Sequence, residues 1–540
     1  MPASPQESAG GRRQAPGARE RSTRRQQPGV RRTSTDAAVA DDVVLVAPSG
    51  YGKSAEMFQE ARRRRASGSH AIAAVATAVT EDGLESALNK ENRDAFAAWM
   101  KSADPATVFI DAVDELALRR KSLHDLLRKL DAGIPFAQRR AQLVITARTG
   151  MWLPQHTGEL QNFLAVARGL QQERSGVADA KKSPGPLIRQ ITFARLDHAA
   201  LLALAVGNGV NDADAFLACL RTQEISSLFD IRPRDVCWLV RKWNQSRRLG
   251  KWSELMTDFC DSALEDETPE RALQRDLSLR EGHRGLERTA AGMLFGRRGF
   301  ISVPSAERSD QTISSRRLFD DWTTAKVQSL LETALFVHKG MNGQAVQFAA
   351  DALTPFLAAR WLAERARSGL DVDGLRDLVM VRAFGEADFH IPHSRTKLAG
   401  WLASALPTFR ALVLETRPEL VLFEGDPDLL TDRELEAGLL GVADKVLRGV
   451  SDLLPTSGTL RKLARSSVEH VVLSLLSTRP TIPSLQMFVL PLVQFGHYRS
   501  CIPLALSLAL DRRVADHVRA DAIGAVLRQA SQLTARDSFH

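Results

Sequence analysis

Short apolar runs of strand length alternate with longer helical patterns between residues 43 and 193. The runs are nearly continuous in aliphatic side chains, which is typical of parallel strands buried on both faces. The pattern therefore predicts an α/β core, a parallel sheet with helices on both faces. The predicted strands are VVLVA at 43–47, AIAAVA at 71–76, TVFIDA at 107–112, QLVITA at 142–147 and IRQITF at 188–193, and the predicted helices lie near 53–66, 92–102, 116–131 and 157–170.

Strand signals become rare after about residue 195, and helical patterns dominate the rest of the chain. The polar stretches 171–187 and 303–316 are predicted to be loops. Residues 396–540 form a run of apolar helical segments broken by Pro and Gly, and 514–529 resembles one helix of a HEAT-like pair. A chain of this length is expected to contain about three to five domains.

The sequence VVLVAPSGYGKSAEM at 43–57 places a buried strand, a tight turn and a helix start in direct succession. Phosphate groups bind where backbone N–H groups point inward, which small residues and glycine permit. Lys53 would supply a cation to the β- and γ-phosphates of ATP, and the Ser54 hydroxyl would bind Mg²⁺. The strict pattern has Gly at the position of Ala47. The nucleotide-binding residues of this predicted phosphate loop are Pro48, Ser49, Gly50, Tyr51, Gly52, Lys53, Ser54 and Ala55.

Three carboxylates follow the buried strand in TVFIDAVDEL at 107–116. Asp111, at the tip of a strand expected beside the phosphate loop, would hold Mg²⁺ through water. Asp114 or Glu115 would orient or deprotonate an attacking water. The strand QLVITARTG at 142–150 ends in Thr146 and Arg148, and a polar or cationic group at this strand tip would sense or stabilise the γ-phosphate. The two carboxylates that follow Asp111 are better suited to activating a water molecule than to accepting a second substrate. This pattern disfavours a kinase.

These motifs resemble those of the NACHT-type NTPases, within the STAND class of signalling P-loop ATPases. FIDAVDEL resembles their extended acidic motif, and ITART resembles their sensor strand. Residues 187–205 resemble the strand and helix that lead out of the NTPase core, and IRPRDVCWLVRKW at 231–243 resembles the adjoining helical domain. The resemblance implies that Pro233 opens a helix and contacts the adenine or its ribose. It covers roughly residues 40–366.

The segment VQFAADALTPFLAARWLAERA at 346–366 resembles the end of the winged-helix domain in the same family. The preceding residues read as a hairpin with Gly340 and Gly343 at its turn. The family has Phe-x-His here, and Phe348 matches the Phe, whereas the His position is Ala350. In the family that His reaches the nucleotide phosphate and helps hold a closed state, so locking by this contact is not expected.

The predicted organisation combines these assignments. It consists of a disordered Arg-rich tail at 1–38, a P-loop NTPase core at 39–195, a helical lid domain at 196–280, a winged-helix-like domain at 281–370, and an all-α, HEAT-like region at 371–540 that is a candidate sensor.

The net charge of +8 is concentrated in the tail. Residues 1–35 carry eight Arg and two Glu, a net charge of +6, and the other 505 residues carry +2. Because the body is nearly neutral, nucleic acid is a partner that the sequence allows but does not favour. The four Cys have no CxxC spacing, and no stretch reads as a membrane span. These features predict a cytoplasmic protein without a membrane partner.

Three functions remain open from the sequence. The first is an ATP-binding and slowly ATP-hydrolysing STAND switch in signalling or antiphage defence, with a protein partner or trigger ligand at the C-terminal helices and ATP-dependent homo-oligomerisation. The second is an AAA-type ATPase that binds DNA through the winged helix and the basic tail. The third is a nucleotide-binding scaffold that does not hydrolyse ATP.

Overall fold

The computed structural model describes residues 42–119, 121–134, 136, 141–168, 188–228, 230–265, 277–304, 311–339, 344–382, 388–449, 455–478 and 482–537. The predicted tail at 1–38, the predicted loop at 171–187 and the turn glycines Gly340 and Gly343 lie outside these residues.

A five-stranded parallel sheet forms the amino-terminal part of the described chain. Each strand lies within two residues of its predicted position, so the predicted sheet is confirmed. The order across the sheet is second, third, fourth, first, fifth. The strands are β1 Asp42–Ala47, β2 His70–Val75, β3 Ala106–Asp111, β4 Ala141–Arg148 and β5 Ile188–Ile191.

The strand order corrects one expectation. Asp111 was expected on the strand next to the phosphate loop, but β4 lies between β1 and β3. Ala47 at the end of β1 is paired in register with Arg148 at the end of β4. An apolar run reveals a buried strand but not its neighbours, because the order depends on how the crossover helices pack.

Helices cover both faces of this sheet, as predicted. Successive strand residues point to opposite faces, and the buried side chains separate accordingly. Val44, Val46 and Ile72 belong to one apolar cluster, and Val43 and Phe109 belong to another. The helices are α1 Lys53–Ala66, α2 Ala76–Asp82, α3 Leu84–Ala87, α4 Lys90–Met100, α5 Leu123–Gly133 and α6 Pro154–Ala167.

The single helix predicted at 116–131 is wrong. A 3₁₀ helix spans Val113–Arg119, and α5 starts separately at Leu123. Ser122 is the reason, because its hydroxyl accepts a hydrogen bond from Asp125 N at 3.2 Å while the Asp125 carboxylate accepts one from Ser122 N at 3.0 Å. This capping box satisfies donors that otherwise remain free at a helix start.

The rest of the described chain is mostly helical. The buried apolar side chains between Ala205 and Ala525 form one continuous cluster. The boundaries proposed at residues 195, 280 and 370 remain predictions. The helices are α7 His198–Gly207, α8 Ala213–Thr222, α9 Ile225–Leu228, α10 Pro233–Ser246, α11 Trp252–Leu264, α12 Leu279–Phe295, α13 Ser315–Leu318, α14 Thr324–Leu331, α15 Leu353–Arg367, α16 Val372–Val379, α17 Thr396–Ala405, α18 Pro407–Thr416, α19 Pro418–Phe423, α20 Asp432–Leu447, α21 Ser457–Leu463, α22 Glu469–Leu476, α23 Pro483–Gly496, α24 Ile502–Leu510 and α25 Asp516–Asp537.

A four-stranded sheet interrupts the helices between α12 and α15. Its strands are β6 Phe300–Ser302, β7 Thr312–Ser314, β8 Phe336–Lys339 and β9 Ala345–Phe348, in the order β7-β6-β9-β8. Strands β8 and β9 pair antiparallel, which confirms the predicted hairpin. The loop predicted at 303–316 is wrong in its second part, because Thr312–Ser314 pairs with β6. Two further strands in the described part of the chain, β10 Val381–Arg382 and β11 Phe389–His390, have two residues each and pair antiparallel.

Within the described ranges, every helix is either too short or too polar to span a bilayer.

Asp42 and Arg168 join the start of β1 to the end of α6. Nη1 and Nη2 of Arg168 donate to the two oxygens of the Asp42 carboxylate at 2.7 and 2.8 Å, and Asp42 also accepts from Leu143 N at 2.9 Å. Asp42 is only 3% exposed, whereas the Arg168 side chain is 23% exposed.

Arg168→Ala should lower the free energy of unfolding by about 2 kcal/mol, because a buried carboxylate would lose its partner. Urea denaturation measures this, with Arg128→Ala on the exposed face of α5 as the control. An equal loss in the two variants would contradict a structural role for the ion pair.

Candidate nucleotide site

The loop between β1 and α1 has the geometry expected of a tight turn into a helix. Gly50 and Gly52 have φ values of +84° and +82°, a conformation that favours glycine. Ala47 instead lies inside β1 and is buried, so this position does not require glycine. The first bond of α1 runs from Glu56 N to Gly52 O at 2.9 Å. The N–H groups of Lys53, Ser54 and Ala55 therefore lack intrahelical acceptors.

Lys53 folds back over this loop. Its ammonium group donates to the carbonyl oxygens of Ala47 at 2.7 Å and Pro48 at 3.0 Å. Burial lowers the pKa of Lys53 to about 8, and Arg148 acts in the same direction, whereas Asp114, Asp111 and Glu115 raise it. The electrostatic neighbours of this lysine are therefore the four other charged residues predicted for the site.

Asp111 lies at the carboxyl end of β3 and is 5% exposed. The Thr146 hydroxyl, on the neighbouring strand β4, donates to Asp111 Oδ1 and accepts from Ala112 N at 2.9 Å. Ala112 has φ +58°, a conformation that costs a non-glycine residue about 1 kcal/mol or more. Thr146 thus fixes the chain just after Asp111 and orients its carboxylate.

Arg148 contacts the two remaining predicted carboxylates, those of Asp114 and Glu115. Its Nε lies 3.0 Å from Asp114 Oδ2, and its backbone N donates to Asp114 Oδ1 at 3.1 Å. Its Nη2 lies 3.6 Å from Glu115 Oε1. The Arg148 side chain is 14% exposed, so screening by water is limited. In this conformation both oxygens of the Asp114 carboxylate are bound to Arg148.

The start of α10 contacts the loop from the other side. Arg234 N donates to Gly50 O at 3.2 Å, and Arg232 Nη1 lies 3.4 Å from Ser49 O. Arg232 is itself held by Asp235, with its Nε 2.8 Å from Asp235 Oδ2. Pro233, between the two arginines, is the first residue of α10, as predicted. The Tyr51 hydroxyl donates to Asp230 at 2.6 Å, which extends the contact.

The segment between α14 and β8 contacts Arg148 and Arg232, the two arginines beside the loop. Arg148 Nη1 donates to Glu332 O at 3.0 Å, and Arg232 Nη1 donates to Ala334 O at 2.9 Å. We call this arrangement the arginine clamp. Next to it, Gly150 has φ +83°, and a Cβ atom there would collide with the carbonyl oxygen of His338. The clamp and this close approach place the small sheet beside the carboxyl ends of β1, β3 and β4.

The available groups fit a magnesium nucleotide. Mg²⁺ usually takes one or two protein oxygen ligands and completes its shell with phosphates and water. The exposed Ser54 hydroxyl and the Asp111 carboxylate are ligands of that kind. Across the described ranges, no group of three or more His, Cys, Asp or Glu side chains could hold a metal ion. A cation here would therefore depend on phosphate oxygens for part of its shell.

The predicted site residues divide into three local groups that meet at one edge of the sheet. Pro48 to Ala55 form the loop and the start of α1, Asp111, Asp114, Glu115 and Arg148 follow β3 and β4, and Pro233 starts α10. Sequence reasoning missed Arg232 and Glu332, and it placed Thr146 at the tip of its strand without its hydrogen bond to Asp111. The motif RPRD held a signal for Arg232, because an Asp three residues later can accept hydrogen bonds from the backbone N and the side chain of Arg232 at a helix start.

No protein-family model matches this chain, and no curated protein matches it. The contacts and charges of these residues are therefore the basis for a functional conclusion.

Gly150→Ala should lower the free energy of unfolding by about 2 kcal/mol more than Gly68→Ala, because both positions have positive φ but only Gly150 meets a neighbouring backbone. Urea denaturation of the two variants gives the comparison. Equal losses would show that the Gly150 loop and His338 are not packed together.

Glu332 should make stability depend on pH. Burial raises the pKa of its carboxyl to about 7, although Gln328 and Arg148 act in the opposite direction. An unfolded Glu releases its proton near pH 4.3. Between these values the folded state holds the extra proton, so stability falls as the pH rises.

Glu332→Gln should remove this dependence. Relative to the variant, the wild type should lose about 2 to 3 kcal/mol between pH 5 and pH 8. Urea denaturation at each pH measures the difference, with the exposed Glu85→Gln as the control. A constant difference between wild type and Glu332→Gln would contradict the burial of this carboxyl.

Proposed function

We propose that this chain is a P-loop ATPase of the STAND type that binds Mg-ATP on the β1–α1 loop and acts as a switch. The observation that carries the proposal is the meeting of Lys53, three carboxylates and Arg148 beside a loop with two positive-φ glycines. A fold with a parallel sheet supports it, because ligands of such sheets bind beyond the carboxyl ends of the strands.

The loop would bind the phosphate chain through its backbone N–H groups and through Lys53. The free donors at the start of α1 and the helix dipole favour an anion at this point. Lys53 donates to two carbonyl oxygens of the loop, and a phosphate oxygen would replace these neutral acceptors with a charged one. Mg²⁺, held by Ser54 and by Asp111 through water, would neutralise charge on the β- and γ-oxygens when bound.

Arg148 would link phosphate binding to the rest of the chain. It contacts Asp114, Glu115 and the Glu332 carbonyl in the described conformation. A γ-phosphate near Lys53 would compete for the guanidinium group of Arg148, because an anionic oxygen is a stronger acceptor than a backbone carbonyl. Release of Asp114 would allow this carboxylate or Glu115 to accept a proton from water, and release of Glu332 would loosen one half of the arginine clamp.

The elements around the clamp would form the lid. Pro233 and its two flanking arginines stand at the loop, where the resemblance to NACHT-type proteins implies contact with adenine or ribose. The helix and strand succession from α12 to β9 supports a winged-helix domain, in which Ala350 supplies no phosphate contact. The exposed Leu506, Leu510 and Leu527 on the last two helices support a protein partner at that end.

A scaffold that binds ATP without hydrolysing it is the second candidate. The specific observation in its favour is the engagement of Asp114 by both the side chain and the backbone of Arg148. A carboxylate held in this way cannot act as a base until Arg148 moves.

Lys53→Ala should lower the affinity for Mg-ATP at least about tenfold, because a charge-assisted contact to phosphate would be lost. Calorimetric titration measures the affinity, and the exposed Lys121→Ala is the matched control. An affinity unchanged by Lys53→Ala would contradict the assignment of the loop.

The double variant Asp114→Asn/Glu115→Gln should retain ATP binding and lose hydrolysis about 10²-fold or more. Phosphate release measures turnover, and the exposed pair Asp94→Asn/Asp131→Asn is the control. Equal turnover in the two double variants would contradict the catalytic role. A wild type that binds ATP without turnover would favour the scaffold.

A further inference from the structure

We propose that a second cavity, distant in sequence from the nucleotide loop, binds a small organic anion that carries a phosphate group and an aromatic ring. The cavity has a volume of about 540 Å³ and lies between α11, α12, α15 and α17. This volume is in the range of sites for small molecules. None of the predicted nucleotide-binding residues lines it, so the proposal does not rest on ATP binding at the loop.

An aromatic and aliphatic surface forms part of the cavity wall. Phe356 on α15 and Trp401 on α17 meet edge to face, with ring centroids 5.0 Å apart. Ala359 and Ala363 follow Phe356 along the same face of α15, and the Arg360 guanidinium carbon lies 5.8 Å from the centroid of the Phe356 ring. A wall of this kind favours an apolar or aromatic part of a ligand.

Arginines dominate the charged part of the lining. Four Arg side chains, at 280, 284, 360 and 367, stand against two carboxylates, Glu287 and Glu364. Arg360 is committed to Glu287, with Nε and Oε1 3.0 Å apart, and it also donates to Thr257 at 3.2 Å. Arg367 pairs with Glu364 at 3.0 Å, but both are more than 60% exposed, so that pair contributes little.

Arg280 and Arg284 give the cavity its unbalanced charge. They lie one turn apart on α12, both exposed, and neither has an ion pair or side-chain hydrogen bond within the described part of the chain. Two guanidinium groups at this spacing can both donate hydrogen bonds to one phosphate, because each offers parallel N–H donors that match phosphate oxygens.

His283 adds a polar group between the two free arginines. Its Nε2 contacts Asp261, whereas its Nδ1 is buried and has no hydrogen-bond partner among the described residues. Leaving such an atom unsatisfied costs about 1 to 3 kcal/mol, and a ligand or water is a common means of satisfying it. The ring, the two arginines and the aromatic wall together define the ligand as an aromatic phosphate.

Calorimetric titration with phenyl phosphate tests this proposal, with inorganic phosphate and phenol as probes that each lack one half of it. The full chain carries Lys53→Ala in every titration, so that phosphate affinity at the nucleotide loop does not contribute. Phenyl phosphate should bind one-to-one and at least about fivefold more tightly than either of the other probes, because only phenyl phosphate uses both surfaces.

Arg280→Ala/Arg284→Ala should weaken phenyl phosphate binding at least about fivefold. Both arginines are exposed, so this variant should fold, and circular dichroism checks that it does. The control is Arg298→Ala/Arg317→Ala, which removes the same charge from exposed positions outside the cavity. Absence of phenyl phosphate binding, equal affinity for inorganic phosphate, or equal weakening in the two double variants would each overturn the proposal.

Discussion

Arg148 and Arg232 each donate a hydrogen bond to a carbonyl oxygen of the short segment from Glu332 to Ala334, and these two bonds connect that segment to the surroundings of the β1–α1 loop. Each of these arginines also contacts other groups. Arg148 is also bound to Asp114 and Glu115, and Arg232 is bound to Asp235 and lies near Ser49 O. The same two side chains therefore contact the acidic residues after β3, the glycine loop after β1 and the segment before β8.

This sharing has a physical consequence for any phosphate at the loop. A guanidinium group has five N–H donors, and an anionic acceptor that reaches it competes with the neutral acceptors already bound. A backbone carbonyl is the weaker competitor, and Glu332 O and Ala334 O are the carbonyls at stake. The proposed switch would need no separate sensor for phosphate, because the residues that would feel the charge also bind the segment from Glu332 to Ala334. It would not need a histidine at the position of Ala350, since Arg148 at the end of β4 already binds this segment.

Much of the core could be predicted from the sequence, for reasons that are local. Buried parallel strands give continuous apolar runs, and a glycine loop followed by Lys53 and Ser54 is contained in one short segment. The rest depends on distant partners. Arg148 and Glu332 are 184 residues apart, and Arg232 and Ala334 are 102 apart, and their acceptors are backbone carbonyls that carry no side-chain signal. The place of β4 between β1 and β3, and the orientation of Asp111 by Thr146, likewise follow from packing across the sheet.

Hydrogen–deuterium exchange with and without Mg-ATP tests the link between loop and lid most directly. If phosphate binds the loop and draws on the arginine clamp, exchange should slow in the segment from Pro48 to Ala55 and accelerate between Glu332 and Phe336, while α21 stays unchanged. Unchanged exchange in both segments, or slower exchange in α21 alone, would contradict the account.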